Sequence, residues 1–180
     1  ECGTADILAA ELTARGIAMR RHHNNIYSLS QGFDSAKPTL MLNSHQDTVK
    51  PSPAYSRNPF EATREGDKIY GLGSNDAGAS LVALLATFCN HYDTSALPYN
   101  LLLALTAEEE NMGERGMRSF LPHLQKGGIK VDMVLVGEPT SMHAATAERG
   151  LVVLDCTAHG RSGHAARNEG ENAIYKALDD

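Results

Sequence analysis

The chain has 180 residues, enough for one domain or for one domain and part of another. Hydrophobic residues make up 42% of it, so a sizeable core can form and a disordered chain is excluded. The net charge of -6, with Arg20-Arg21 as the only basic dipeptide, leaves no basic patch for nucleic acid or an anionic membrane surface.

In chain order, GTADILAAELTARG predicts a helix. Ile7, Leu8, Leu12 and Ile17 follow helical spacing, Thr4 is a candidate cap, and Gly16 stands near the stop. NNIYSLSQG and PTLMLNSH predict strands with a turn at GFDSAKP between them. The loop VKPSPAYSRNP then leads into a hairpin-like segment, EGDKIYGLG. DAGASLVALLATFCNHY is the longest helical pattern, and NLLLALTA is an apolar run with the composition of a strand buried on both faces. GERGMRSFLPHLQKG predicts a helix whose end Pro122 weakens, and VDMVLVGEP predicts another buried strand. Apolar strands alternating with helices predict an α/β layer architecture with a mostly parallel sheet.

The pattern shifts after residue 148. RGLVVLDCTAHG alternates as a half-exposed strand, GRSGHAARNEG reads as a loop, and ENAIYKALDD starts a helix. One strand and one helix cannot form their own core. Residues 1–148 are therefore expected to belong to one domain and 149–180 to begin a second, the chain being the N-terminal portion of a longer protein. Its longest apolar runs, such as LVALLATFC (81–89), are far shorter than the roughly 20 residues of a membrane-spanning helix. Cys2, Cys89 and Cys156 are isolated, which suggests neither a disulfide framework nor a thiolate metal site; Cys89 and Cys156 read as core. No signal-peptide pattern opens the chain, and the expected setting is cytoplasmic.

In open α/β sheets, ligands bind outside the carboxyl ends of the strands. PTLMLNSHQD ends in His45 and Asp47, NLLLALTAEEE in Glu108, Glu109 and Glu110, and VDMVLVGEP in Glu138; Asp76 opens the alanine-rich helix after GLGSN. Each has an ordinary reading on its own: Asp76 as a helix cap, His45 as a satisfied strand-end histidine, Glu138 as plain loop. Three adjacent carboxylates repel unless cations compensate, and few lysines or arginines stand near these motifs. A divalent metal supplies the missing charge, and one histidine with several carboxylates suits zinc, cobalt or manganese. In His45-Gln46-Asp47, residues two apart point to one side, so Asp47 is expected to buttress a metal-bound His45.

Together, SHQDTV, NPF…GDKIYGLGSNDAGAS, TAEEE, GEPT and RG…HGRSGHAA resemble the zinc-dependent aminoacylase and deacylase family of metallopeptidases, over nearly the whole chain. GSNDAGAS with TAEEE and GEPT looks most like its acetylornithine deacetylase branch, including a variant that prefers N-succinyl-ornithine. The resemblance implies a three-layer α/β/α catalytic domain followed by a smaller α+β domain that acts as a lid and forms a homodimer. It implies two metal ions, with Asp76 bridging them, His45 and Glu138 holding one, Glu110 holding the other, and Asp47 orienting His45. Glu109 would be the general base towards a water shared by the two ions, and His164 would stabilise the oxyanion. An alternative register makes Glu108 the base and Glu109 the ligand; Gly116 favours the first, by matching a glycine of related deacylases. The peptide Asp76-Ala77 is implied to be cis. The implied substrate is an N-acyl amino acid, first of all N-acetyl-ornithine of arginine biosynthesis. A succinyl-amino-acid desuccinylase, a peptidase and a carboxypeptidase of the same family are the alternatives.

The family takes a last metal ligand from a histidine late in its chain, and no residue here matches it. These 180 residues alone are accordingly expected to be inactive. The residues also speak to two other classes. In a dinucleotide-binding reading of GLGSND, Asp76 stands where the third glycine belongs and would repel a pyrophosphate. A non-catalytic relative would more readily have lost Glu109 and His164.

Overall fold

The computed structural model describes residues 1–147, 149–164, 166–167 and 169–179. In order they form α1 (Cys2–Ala14), β1 (Arg20–His22), β2 (Asn25–Leu29), β3 (Thr39–His45), β4 (Thr63–Glu65), β5 (Lys68–Tyr70), α2 (Gly78–His91), β6 (Asn100–Thr106), α3 (Met117–Lys126), β7 (Met133–Val136) and α4 (Ala173–Asp179). The chain divides into two compact units, Glu1–His143 and Ala144–Asp180.

In the first unit, five strands make one sheet in the order β1-β2-β6-β3-β7. β6, β3 and β7 run parallel, while β2 is antiparallel to β6 and β1 to β2. The parallel centre expected from the sequence is present, and the early strands form an antiparallel margin. β6 lies in the middle and is buried along all seven of its residues. Its side chains alternate between two cores, as the strand period of two requires. Leu101, Leu103 and Leu105 pack with Leu8 and Leu12 of α1 and with Leu81, Leu85 and Phe88 of α2. Leu102 and Ala104 pack on the other side with Phe120 and Leu124 of α3. The sheet is therefore the middle of an α/β/α sandwich.

Several local expectations are corrected. Thr4 lies inside α1, whose N-cap is Glu1 without a side-chain cap bond. Asp76 is not a helix cap either; the N-cap of α2 is Ala77, again with no side-chain bond. Pro122 stands inside α3 and not at its end, and the helix runs on past it to Lys126. The strand VDMVLVGEP forms as β7 but is not buried: Met133 to Val136 are each about half exposed, from 47% to 54%. β7 is the sheet's outer strand beside β3, and an apolar run reveals hydrophobicity without revealing whether a neighbour covers it.

Among the described residues of the second unit, Leu151, Val152, Val153 and Leu154 form no strand and are exposed. The expected strand fails here because a single strand needs a partner for its backbone groups, and the pairing in this unit is one antiparallel bridge, Arg161 to Glu171. Cys156 is exposed and not core, while Cys89 packs against the α2 core. No helix among the described residues is long and apolar enough to cross a membrane.

Phe88 is fully buried where α2 meets β6, whereas Val82 on the same helix is 60% exposed. Phe88→Ala is expected to destabilise the first unit by about 3–5 kcal/mol. Val82→Ala should change stability by less than about 0.5 kcal/mol. Urea unfolding followed by circular dichroism checks this, and equal effects would show that α2 does not pack through the Phe88 face.

Candidate metal centre

β3 and β6 pair in parallel from Thr39↔Asn100 to His45↔Thr106, so both strands deliver their following residues at one edge of the sheet. The pairing continues past β3, where the N–H of Gln46 donates to the Thr106 carbonyl at 2.8 Å. β7 ends beside them: Gly137 N–H donates to Asn43 O at 2.7 Å, and Ser44 Oγ donates to Gly137 O at 2.8 Å. His45, the Glu108–Glu110 run and Glu138 thus leave three adjacent strands on a common level. Asp76 comes from the loop before α2, where the Asp76-Ala77 peptide is cis, as the family resemblance implied. Gly73 has a φ of +74° in that loop and accepts the Gly78 N–H at 2.9 Å, which folds the segment tightly beneath Asp76.

His45 is the buried centre of the group. Its Nε2 lies 3.2 Å from Asp76 Oδ1, 3.7 Å from Glu138 Oε1 and 3.9 Å from Glu109 Oε2. Ligand atoms of His45, Asp76 and Glu110 fall within 4.8 Å of one another. On the other side of the ring, Nδ1 is 2.9 Å from the main-chain carbonyl of Asp47 and 3.6 Å from its carboxylate. The contact between Asp47 and His45 expected from H-x-D is therefore present, with the carbonyl as the nearer partner. The Asp47 carboxylate does a second thing that the motif did not announce. Its Oδ1 accepts the Glu109 N–H at 3.2 Å and its Oδ2 the Glu110 N–H at 3.1 Å. Gln46, between the two, faces the opposite way and donates to Asn24 O at 2.5 Å.

The electrostatics follow from this crowding. The Asp47 carboxylate holds its imidazole neighbour well above the usual histidine range, at about 9; burial opposes the rise, and Glu138 and Glu109 add to it. Burial would push the Asp47 carboxyl up, but His45 and the two N–H donors outweigh burial and bring it below its ordinary value. The Glu110 and Glu138 carboxyls are raised, first by burial and then by the acids around them. Acids that raise one another in this way favour a shared cation. One imidazole nitrogen and several carboxylate oxygens within ligand reach fit zinc, cobalt or manganese.

The structure thus brings together His45, Asp47, Asp76, Glu109, Glu110 and Glu138. Glu108 is turned aside, its carboxylate accepting the Arg115 N–H at 2.8 Å. His164 lies in the second unit, exposed, with Nδ1 accepting the Ala166 N–H at 3.2 Å. Sequence reading missed Asn25, fully buried at the start of β2. Its signal was a polar amide within a strand pattern, since a buried amide must find partners. A cleft of about 840 Å³ opens beside His45 and Asp47, with Phe60, Ile69 and Val82 on its apolar wall.

Comparison with known proteins accords with this geometry. Residues 41–180 match the family model described as peptidase family M20/M25/M40. A succinyl-diaminopimelate desuccinylase of Delftia acidovorans is 28% identical over 195 aligned positions, covering 99% of this chain and 50% of the relative. A second such enzyme, from Caulobacter vibrioides, is 30% identical over 92% of this chain and 44% of its own length. An acetylornithine deacetylase of Buchnera aphidicola is 29% identical over 80% of this chain and 37% of its own. Among solved structures, an M20 family metallo-carboxypeptidase from Sulfolobus solfataricus superposes with a TM-score of 0.60 at 25% identity, covering 74% of this chain and 31% of that one. The chain spans about half the length of the curated relatives it matches. Because that family model matches residues 41–180, most of its length, the chain belongs to peptidase family M20/M25/M40.

Proposed function

We propose that the full-length protein is a metal-dependent hydrolase of amide bonds that removes the acyl group from an N-acyl amino acid. The convergence of His45, Asp76 and Glu110, with Glu109 and Glu138 beside them, carries this reading. His45, Asp76, Glu110 and Glu138 would hold two divalent ions, zinc with cobalt or manganese able to substitute, and Asp76 would be shared between them. Such ions supply a Lewis acid and a water acidified towards neutrality.

The chain's own residues then divide the work. Asp47 keeps the His45 ring in one orientation and ties the Glu109-Glu110 backbone to it. The Glu109 side chain is more than half exposed, so it has room outside the ligand set to take a proton from water and pass it to the departing amine. Glu108, already engaged by the Arg115 N–H, is the poorer candidate, which supports Glu109 as base and Glu110 as ligand. Residues 1–148 would be part of the catalytic domain and residues 149–180 the start of a lid that also forms a homodimer. His164, beside Gly163, would stabilise the oxyanion from there.

N-acetyl-ornithine is the first substrate to test, which would place the enzyme in arginine biosynthesis. The desuccinylases among the relatives favour a second reading, a succinyl group on ornithine or another amino acid.

In the full-length protein, hydrolysis of N-acetyl-ornithine and N-succinyl-ornithine should vanish after chelation and return with zinc or cobalt. The acyl group giving the higher kcat/KM identifies the substrate. Metal binding without hydrolysis of either compound would move the substrate to peptides, and absence of metal binding would sink the assignment of His45, Asp76, Glu110 and Glu138. Glu109→Gln should lower kcat by about 10²–10⁴-fold while metal content, measured by atomic emission, stays unchanged. Asp47→Ala should weaken zinc binding by about 10–100-fold in a competition titration.

A further inference from the structure

The segment after β6 carries Glu109 and Glu110 on a loop from Ala107 to Gly116, and two residues without an assigned role close that loop at both ends. Glu108 adopts a left-handed backbone, φ +60°, a conformation uncommon for a residue with a side chain. Its carbonyl accepts the Gly113 N–H at 3.0 Å, and its carboxylate Oε2 accepts the Arg115 N–H at 2.8 Å. Asn25 Nδ2 donates to the carbonyl of the same Arg115 residue at 2.7 Å, and to His22 O at 2.9 Å. Asn25 Oδ1 accepts the Ala107 N–H at 3.0 Å. Both polar groups of the Arg115 backbone are therefore taken, one by each side chain, and Asn25 ties that far end back to the loop's beginning.

The packing leaves room for this closure and for little else. A Cβ on Gly116 would stand 2.5 Å from the Ala107 carbonyl, and one on Gly113 would overlap the Glu108 carboxylate. Between the closed ends, the Glu109 and Glu110 N–H groups meet the Asp47 carboxylate. Their side chains are thereby directed to the His45 side of the sheet edge.

We propose that Glu108 and Asn25 are positioning residues, which clamp Arg115 and so fix the direction of Glu109 and Glu110 towards His45 and Asp76. The third glutamate of the run acts through the loop and not on substrate. This inference rests on the reading of Glu109 and Glu110 as base and ligand.

The test compares Glu108→Ala, Glu108→Gln and Asn25→Asp in the full-length protein. Amide hydrogen exchange at Glu109, Glu110 and Arg115 reads the clamp without reference to metal or substrate. Glu108→Ala should accelerate exchange at these amides by about tenfold or more, weaken zinc binding by about 10–100-fold and lower kcat with little change in KM. Glu108→Gln keeps an acceptor oxygen for the Arg115 N–H and should stay within about threefold of the parent on every measure. Asn25→Asp loses the donor to the Arg115 carbonyl and should loosen the same amides, which serves if Glu108→Ala does not fold. Unchanged exchange in Glu108→Ala or Asn25→Asp overturns the proposal. So does equal damage by Glu108→Gln and Glu108→Ala, since charge and not hydrogen bonding would then matter. A parent protein that binds no zinc sinks the metal-centre reading instead, and the exchange contrast between the two Glu108 variants still decides the clamp.

Discussion

The parallel pairing of β3 with β6 governs the site. Its register sets His45 against Thr106, and both chains leave the sheet one residue later on the same level. A slip of one residue would turn His45 to the opposite face, because side chains alternate with a period of two. The apolar composition of both strands protects that register. Leu101, Leu103 and Leu105 face α1 and α2, and Leu102 faces α3, so a slip would exchange the contents of two fully packed cores. Hydrophobic burial thus holds a polar arrangement at the strand ends.

At those ends the acids repel one another, and the structure answers in two ways. The first is fixed within the chain: buried Asp47 meets the imidazole of His45 and two main-chain N–H groups, which makes its charge tolerable away from water. The second is the concentration of Asp76, Glu110 and Glu138 around Nε2 of the same ring, an arrangement that a divalent cation stabilises. Asp47 links the two. It touches His45 on the side away from Asp76 and holds the backbone that carries Glu109 and Glu110.

Much of this was legible in the residues. NLLLALTA forms the central buried strand, the alanine- and leucine-rich segment forms α2, and EGDKIYGLG holds the turn and second strand of the β4–β5 hairpin, whose first strand starts earlier, at Thr63. His45, Asp76, Glu110 and Glu138 meet as their motifs suggested, since strand ends in a parallel sheet open to one edge. The failures share a cause. Hydrophobicity and alternation alone predict VDMVLVGEP as buried and RGLVVLDCTAHG as a strand. Burial and pairing need neighbours, which β7 has on one side and residues 151–154 lack among the described residues. Residue type makes Thr4 a candidate cap, but capping depends on where the helix begins, and α1 begins before it.

Residue type and order along the chain were enough to single out groups able to hold a metal and the main strands and helices of the first unit, though not the fate of residues 151–154. Periodicity and charge are local properties, and they are written in the order of the side chains. The tertiary structure alone decided which of three adjacent glutamates turns away, that Asp47 grips the backbone of the other two, and that Asn25, some eighty positions earlier, closes their loop. Those outcomes depend on hydrogen-bond directions across strands distant in sequence, and such directions exist only once β2, β3 and β6 lie side by side.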